Sequence, residues 1–176
     1  PAGLCPPGRL RPALKQGVEA IIIVPRAQNP FGAAMDSDRA AALRRELEPH
    51  PDLLLVEDDH TGAISGVACT TLTSQQQRRW AVIRSVSKVL HPDLRVALMA
   101  GDELTIARIE GRQALGPRWV SHILQATVVE LLKDPGFGAT TARARDVYTA
   151  RRRALIEALA EHGLSAHGRS GLNVWV

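Results

Sequence analysis

Short apolar runs set the strongest constraint on how this chain folds. The runs are four to seven residues long, and polar turns or stretches with helical periodicity separate them. Runs of this length are typical of strands buried on both faces of a parallel sheet. The pattern therefore predicts an α/β fold with a mostly parallel sheet flanked by helices, and its strands are predicted at residues 18–24, 53–57, 80–86 and 95–100.

The segments between the runs predict the helices. Asp36 or Ser37 is a typical first residue of a helix that continues to Glu48, so residues 18–57 read as a strand, a helix and a strand. Such a unit implies parallel strands joined by a right-handed crossover. Residues 61–79 are polar and irregular and are interpreted as a surface loop. Further helices are predicted at residues 102–114, 118–133 and 141–162, with weak helical character before Gly17.

Composition narrows the possible classes of protein. The 176 residues are 45% hydrophobic, which is enough for one sizeable core, and the net charge of +4 comes from arginines spread along the predicted helices. That distribution indicates a solvated surface rather than a nucleic-acid interface. Cys5 and Cys69 have no metal-ligand or disulfide-framework spacing. No apolar run approaches the ~20 residues of a membrane span, so we expect a cytoplasmic protein without a metal site and without membrane contact.

Polar motifs follow the first three predicted strands. Asn29 and Pro30 lie in a turn after the first, Asp58 and its neighbours end the second, and Lys88 closely follows the third. The carboxyl ends of strands in an open α/β sheet are where a ligand crevice forms. The sequence therefore predicts that these motifs share one site.

Lys88 is a candidate nucleophile. It is one of only three lysines in a chain with nineteen arginines, and an amine can lose its proton and attack a carbonyl, whereas a guanidinium does not. The hydroxyls of Ser85 and Ser87, together with Arg95, suit a phosphate dianion. These residue types favour a phosphorylated aldehyde as the ligand.

The motifs resemble those of fold-type I pyridoxal-phosphate (PLP) proteins, specifically the class I/II aminotransferase family. The matching segments are Pro25-Arg26-Ala27-Gln28-Asn29-Pro30-Phe31-Gly32, Glu57-Asp58-Asp59-His60 and Ser85-Val86-Ser87-Lys88, with Arg95 beyond them. The resemblance implies that Lys88 carries PLP as a Schiff base and then acts as a general base.

The resemblance also assigns the remaining cofactor contacts. Asp58 pairs with the ring nitrogen, while Asn29 and His60 bind the ring oxygen. His60 stands where the family usually has a tyrosine. The phosphate is bound by Ser85, Ser87 and Arg95. Alternation along an extended chain points Asp59 away from the cofactor, so Asp59→Ala is a control for the effect of Asp58→Ala on cofactor binding.

Each residue taken alone also has an ordinary structural explanation. Asn29 is a common turn residue, Asp58 can cap the next element, and Lys88 can be a solvated charge. Three motifs in the family's order, each after a strand-like run, favour the cofactor site.

The resemblance covers residues 18–176 and implies a fragment of the family's fold. Residues 1–140 correspond to the later half of the PLP-binding large domain, 141–163 to a long interdomain helix, and 164–176 to the start of the small domain, with a strand at 172–176. Within the long helix, Tyr148 and Arg151-Arg152-Arg153 occupy the place of a family Tyr-x-x-Arg-Arg segment. We interpret these arginines as a charged face toward water.

The branch of the family is indicated by Gln28, by the Glu57-Asp58-Asp59-His60 motif and by Arg118-Trp119-Val120-Ser121. These look similar to the aminotransferase-like domain of MocR-type regulators, which are GntR-class bacterial transcription factors. The resemblance implies an amino acid or amine effector, a homodimer when complete, and DNA binding only through an absent amino-terminal domain. Two alternatives stay open: a free-standing aminotransferase acting on an amino acid, and a structural or dimerisation fragment without a cofactor.

Overall fold

The computed structural model describes residues 7–176, so Cys5 and the proline-rich start of the chain lie outside the described part. This part forms one four-stranded sheet and five α-helices. The strands are β1 (Ala20–Ile23), β2 (Leu54–Asp58), β3 (Trp80–Ser85) and β4 (Ala97–Gly101). The helices are α1 (Pro7–Lys15), α2 (Ser37–Leu47), α3 (Glu103–Leu115), α4 (His122–Lys133) and α5 (Phe137–Glu161).

The sheet has the strand order β1-β2-β3-β4. The first three strands are parallel, and Ile23, Glu57 and Val82 are paired across them. β4 is antiparallel to β3, because the loop at residues 86–96 is too short for a parallel crossover. The predicted α/β fold with a mostly parallel sheet is confirmed, while the antiparallel β4 was not predicted. The carboxyl ends of β1, β2 and β3 lie at one edge.

The main core lies between the sheet and the first two helices. Leu55 of β2 is fully buried, and Leu43 and Leu47 of α2 belong to the same cluster together with Leu10 of α1. Asp36 caps α2 by accepting a hydrogen bond from the backbone N of Arg39 at 2.9 Å. The predicted start of this helix is therefore correct, and the cap sets where the chain leaves the turn after β1.

Two helices begin at residues other than those predicted. α4 begins at His122 rather than at residue 118, because Ser121 caps it and Arg118 has a positive φ of 67°. α5 begins at Phe137 rather than at residue 141, since Gly136 is its N-cap residue and Gly138 lies within the helix without interrupting it. α5 has 25 residues but is rich in arginine, and no helix within residues 7–176 has the length and apolar character needed to cross a membrane.

The loop at residues 61–79 is not the simple surface loop that its polar sequence predicts. One carboxylate oxygen of Glu57 accepts hydrogen bonds from the backbone N atoms of Leu72 and Thr73, both at 2.7 Å. The same oxygen accepts from the hydroxyls of Thr71 and Thr73. Because a buried carboxylate needs such partners, the loop is held against the sheet. Its buried residues are Thr61, Ile64, Ser65, Leu72 and Gln77.

The carboxyl-terminal residues do not form the predicted strand at 172–176. His167 and Trp175 form a single antiparallel bridge, with two backbone hydrogen bonds of 2.7 Å. The intervening segment turns back instead, and the backbone N atoms of Arg169 and Ser170 both donate to the carbonyl oxygen of Gly32. The backbone N–H groups of Arg169 and Ser170 are thus hydrogen-bonded to the turn after β1 and not to a strand of the sheet.

Candidate functional site

The three motifs predicted to share a site lie at the same edge of the sheet. β2 and β3 are parallel neighbours in which Asp58 is paired with Ile83, and the backbone N of Asp59 donates to the carbonyl of Ile83 at 2.9 Å. Ser85 is the last residue of β3, and His60 lies two residues beyond the end of the adjacent strand β2. The turn that carries Asn29 follows the neighbouring strand β1, which is in register with β2.

The turn after β1 presents Asn29 at its tip. The backbone N of Gly32 donates to the carbonyl of Gln28 at 2.7 Å, and the backbone N of Gln28 donates to the carbonyl of Ala33 at 3.0 Å. Gly32 has a φ of 58°, and a Cβ there would lie 2.7 Å from the carbonyl oxygen of Asn173, so only glycine fits. Asn29 itself is exposed.

The loop between β3 and β4 gathers the nucleophile and the predicted phosphate-binding groups. The hydroxyls of Ser85 and Ser87 are hydrogen-bonded to each other, and Lys88 is exposed in the tight turn that follows. The backbone N of Val86 donates to the carbonyl of Val96 at 3.2 Å, which closes the base of the loop. Arg95 immediately precedes Val96 in this loop. Its backbone has a left-handed conformation and its side chain is exposed. Two hydroxyls, an amine and a guanidinium therefore lie on one short closed loop, a set of groups that suits an anion with an aldehyde.

Asp58 and Asp59 differ in their surroundings. β2 alternates between half-buried and buried residues, so that Leu55, Glu57 and Asp59 share one side and Asp58 lies on the other. Asp58 is half-buried, and its side chain forms no ion pair or hydrogen bond with any residue of the described part of the chain. A carboxylate in that position is available to a cationic or N–H group of a ligand. His60 is half-buried as well.

Asp59 lies on the side of β2 opposite to Asp58, as alternation predicts, and there it forms a buried ion pair with Arg26. Two guanidinium nitrogens of Arg26 donate to the two carboxylate oxygens of Asp59 at 2.8 and 2.7 Å. The side chains of Arg26 and Asp59 are 11% and 1% exposed. Burial raises the pKa of Asp59, but the hydrogen bonds and charge of Arg26, together with the backbone N–H of Gly62 and the charge of Arg84, hold that pKa below its ordinary value. Arg26 also donates to the carbonyl of Val67 at 2.9 Å, so it joins the ends of β1 and β2 to the loop at 61–79.

The ion pair between Arg26 and Asp59 was not predicted from the sequence. The available signal was the position of Asp59, which continues the series Leu53, Leu55 and Glu57 at alternate positions. A charge on the buried side of a strand requires a partner. Nothing in the local sequence indicates that Arg26 supplies it.

Arg152 is a second residue whose role the sequence does not show. The predicted water-facing role of the arginines in α5 is wrong for Arg152, which is half-buried, whereas Arg151 and Arg153 are exposed. Its guanidinium donates to the backbone carbonyls of Gly168, Arg169 and Gly171. Arg152 therefore holds a backbone segment rather than facing solvent.

The fold is that of fold-type I PLP-dependent aminotransferases. Aspartate aminotransferase of Thermus thermophilus, solved with maleate, superposes with a TM-score of 0.86 at 23% identity, over 96% of this chain and 44% of that one. LysN, the α-aminoadipate aminotransferase of the same organism, gives a TM-score of 0.83 at 23% identity, over 96% of this chain and 46% of that one. The kynurenine aminotransferase of Pyrococcus horikoshii gives 0.79 at 25% identity, over 93% and 42%.

In sequence the chain resembles transcriptional regulators. It is 40% identical over 170 residues to PtsJ, the vitamin B6 salvage pathway transcriptional repressor of Salmonella typhimurium strain LT2, a match that covers 97% of this chain and 40% of that protein. It is 26% identical over 156 residues to YcxD of Bacillus subtilis strain 168, an uncharacterised HTH-type transcriptional regulator, covering 88% and 35%. The chain thus spans two fifths or less of these regulators. No protein-family model matches the chain. The predicted resemblance is therefore confirmed: the structure is similar to fold-type I aminotransferases, and the sequence is similar to transcriptional regulators.

Proposed function

We propose that this chain is the PLP-binding, aminotransferase-like effector domain of a bacterial transcriptional regulator of the MocR type, within the GntR class. The fold of the aminotransferases and the sequence resemblance to two named regulators support this proposal. The main observation behind this proposal is that the three motifs lie at one edge of the sheet. There the carboxylate of Asp58 has no side-chain or backbone partner among residues 7–176, and Lys88 follows two serines whose hydroxyls are hydrogen-bonded to each other.

The donor set at this edge fits PLP. The amine of Lys88 is the attachment point, Asp58 holds the ring nitrogen, and Asn29 and His60 donate to the ring oxygen. Ser85, Ser87 and Arg95 bind the phosphate through hydroxyl and guanidinium hydrogen bonds. When bound, PLP supplies an electrophilic carbonyl carbon and an electron-withdrawing ring.

The sensed compound is proposed from the same resemblance. The name of PtsJ, a vitamin B6 salvage pathway repressor, connects repression with vitamin B6 salvage, which supports PLP itself as the signal. An amino acid or amine that reacts with the bound PLP is the second candidate effector. DNA binding is assigned to a part of the protein outside residues 1–176, and the complete protein is proposed to be a homodimer.

We expect the full-length protein to bind DNA from its own promoter region with an affinity that changes when PLP is added. Coupling between two sites typically amounts to about 1–3 kcal/mol, or roughly 5- to 150-fold in affinity. The Lys88→Ala protein should bind the same DNA but lose the response to PLP, because it no longer retains the ligand. Fluorescence anisotropy of labelled DNA, with PLP alone and with PLP plus single amino compounds, measures both effects.

Other results of this experiment would contradict the proposal. A full-length protein that has no DNA affinity but transfers amino groups rapidly would be a free-standing aminotransferase. A protein with neither DNA affinity nor PLP affinity would indicate a structural or dimerisation piece.

We expect Asp58→Ala to weaken PLP binding without destabilising the protein. The half-buried carboxylate has no internal partner to lose, whereas a charge-assisted hydrogen bond to the ligand contributes about 1.5–3 kcal/mol, or roughly 10- to 150-fold in the dissociation constant. Titration of the full-length protein with PLP measures the constant, and thermal unfolding without PLP measures stability. Asp38→Ala, at an exposed position in the first turn of α2, is the matched control. It should leave the dissociation constant unchanged and lower stability by no more than about 1 kcal/mol, the contribution of an acidic residue near a helix N-terminus. If Asp58→Ala left PLP affinity unchanged, the ring-nitrogen assignment would be wrong.

A further inference from the structure

A short backbone segment at residues 168–171 lies between α5 and the turn that presents Asn29. On one side, Arg152 of α5 donates three hydrogen bonds to the segment. Its Nε lies 3.0 Å from the carbonyl oxygen of Gly168, its Nη1 lies 2.6 Å from that of Gly171, and its Nη2 lies 3.4 Å from that of Arg169. A planar guanidinium with several donors fixes three carbonyls at once, which a single ammonium group cannot do with the same geometry.

On its other side the same segment binds the turn after β1. The backbone N atoms of Arg169 and Ser170 donate to the carbonyl of Gly32 at 2.9 and 2.8 Å. The hydroxyl of Ser170, which is fully buried, accepts from the backbone N of Ala27 at 3.2 Å. These contacts hold the two residues that flank the tip of the turn, Ala27 before Asn29 and Gly32 after it.

The fit between segment and turn leaves no space for a shift. A Cβ on Gly171 would lie 2.3 Å from the Cβ of Ala27, and a Cβ on Gly32 would lie 3.1 Å from both the Cα of Gly168 and the carbonyl oxygen of Ser170. Because backbone meets backbone here, a displacement of the segment displaces the turn as well. Within the turn itself, by contrast, the tip is held by two backbone hydrogen bonds, which join Gln28 to Gly32 and to Ala33.

We propose that Arg152 is a positioning residue of the cofactor site, acting by holding residues 168–171 against the turn and so fixing the direction of Asn29. This inference rests on the proposed PLP site, since Asn29 matters only if it contacts the ligand. Through these contacts, residues 168–171 and α5 support the turn that carries Asn29, in addition to the support that the turn receives from β1.

The first measurement is the PLP dissociation constant of full-length variants. Arg152→Ala should raise it about tenfold, the effect of losing one well-placed ligand hydrogen bond. Arg152→Lys should restore part of the affinity because it keeps one donor. Arg153→Ala, at the adjacent exposed position of the same helix, should leave the constant unchanged.

The decisive measurement is a double-mutant cycle with Asn29→Ala. If Arg152 acts through Asn29, adding Arg152→Ala to the Asn29→Ala protein should change the dissociation constant less than about twofold, because the positioned group is already gone. Ser170→Ala, which removes the hydroxyl contacts to the backbone N of Ala27 and to the carbonyl of Ser65, should show the same loss of additivity. It keeps the test valid if Arg152→Ala does not fold.

Fully additive losses in both cycles would overturn the inference, as would an Asn29→Ala protein with unchanged PLP affinity. A wild-type protein without PLP affinity would instead overturn the proposed function. If wild type binds PLP, Asn29→Ala weakens binding and neither Arg152→Ala nor Ser170→Ala does, then only the positioning role fails.

Discussion

Replacing Lys88 with alanine is expected to abolish covalent attachment of PLP altogether. Lys88 supplies the primary amine of the loop between β3 and β4, and the hydroxyls of Ser85 and Ser87 do not form an imine with an aldehyde. Incubation of the full-length protein with PLP, reduction with borohydride and peptide mass spectrometry should place the phosphopyridoxyl group on Lys88. The Lys88→Ala protein should carry no specific label.

Lys133 provides the control for this result. It lies on α4, is exposed and forms an ion pair with Glu130 at 3.2 Å, so Lys133→Ala should retain full labelling at Lys88. A stoichiometric label on another lysine of the Lys88→Ala protein would assign the attachment elsewhere.

Replacing Arg26 with alanine is expected to lower the free energy of unfolding by about 3–5 kcal/mol, the usual cost of removing one partner from a buried ion pair. The variant removes two hydrogen bonds from the buried carboxylate of Asp59, which keeps only the more distant Arg84, at 3.7 Å, as an ion-pair partner. It also removes the hydrogen bond from Arg26 to the carbonyl of Val67. Chemical denaturation followed by tryptophan fluorescence measures the change, since Trp80 lies at the start of β3.

The chain contains a matched control with the same ion-pair distance. Arg78 and Asp52 are also 2.7 Å apart, but their side chains are 65% and 72% exposed. An exposed pair contributes about 0–1 kcal/mol, so Arg78→Ala should have a small effect. Equal effects of Arg26→Ala and Arg78→Ala would show that burial does not determine the strength of these pairs.

The contribution of the buried pair should depend on pH in a defined direction. The pKa of Asp59 in the folded protein is lowered, so its stabilising effect is fully present above the unfolded value of about 3.9 and is lost as the pH falls through the lower folded value. The stability difference between wild type and Arg26→Ala should therefore shrink on acidification. A difference that grew toward acid pH would contradict the lowered pKa.

The sheet was predictable because its signals are local. Short apolar runs mark buried strands, and the helix between β1 and β2 requires those strands to be parallel. Parallel order then places the residues that follow each strand at a common edge. For that reason the positions of Asn29, Asp58 and Lys88 along the fold follow from the sequence, while their contacts with a ligand stay a prediction.

Helix starts and the polar loop show where local signals end. Residues 118–121 have helix-compatible side chains, but Arg118 has a positive φ and Ser121 caps a later start. The loop at 61–79 is polar in sequence, yet the single buried carboxylate of Glu57 holds it against the sheet. Polar composition indicates exposure only when no buried group needs those donors.

The class of sheet, the order of the three motifs and the residue types at their common edge can be read from the sequence. Which charges are buried and which residues hold the site in place depends on tertiary packing. Arg26 and Asp59 are 33 residues apart, and Arg152 reaches carbonyls 16 to 19 residues away. Such contacts depend on how separate elements pack, and they leave no periodic pattern in the sequence because each involves one side chain and a partner whose position the fold alone supplies.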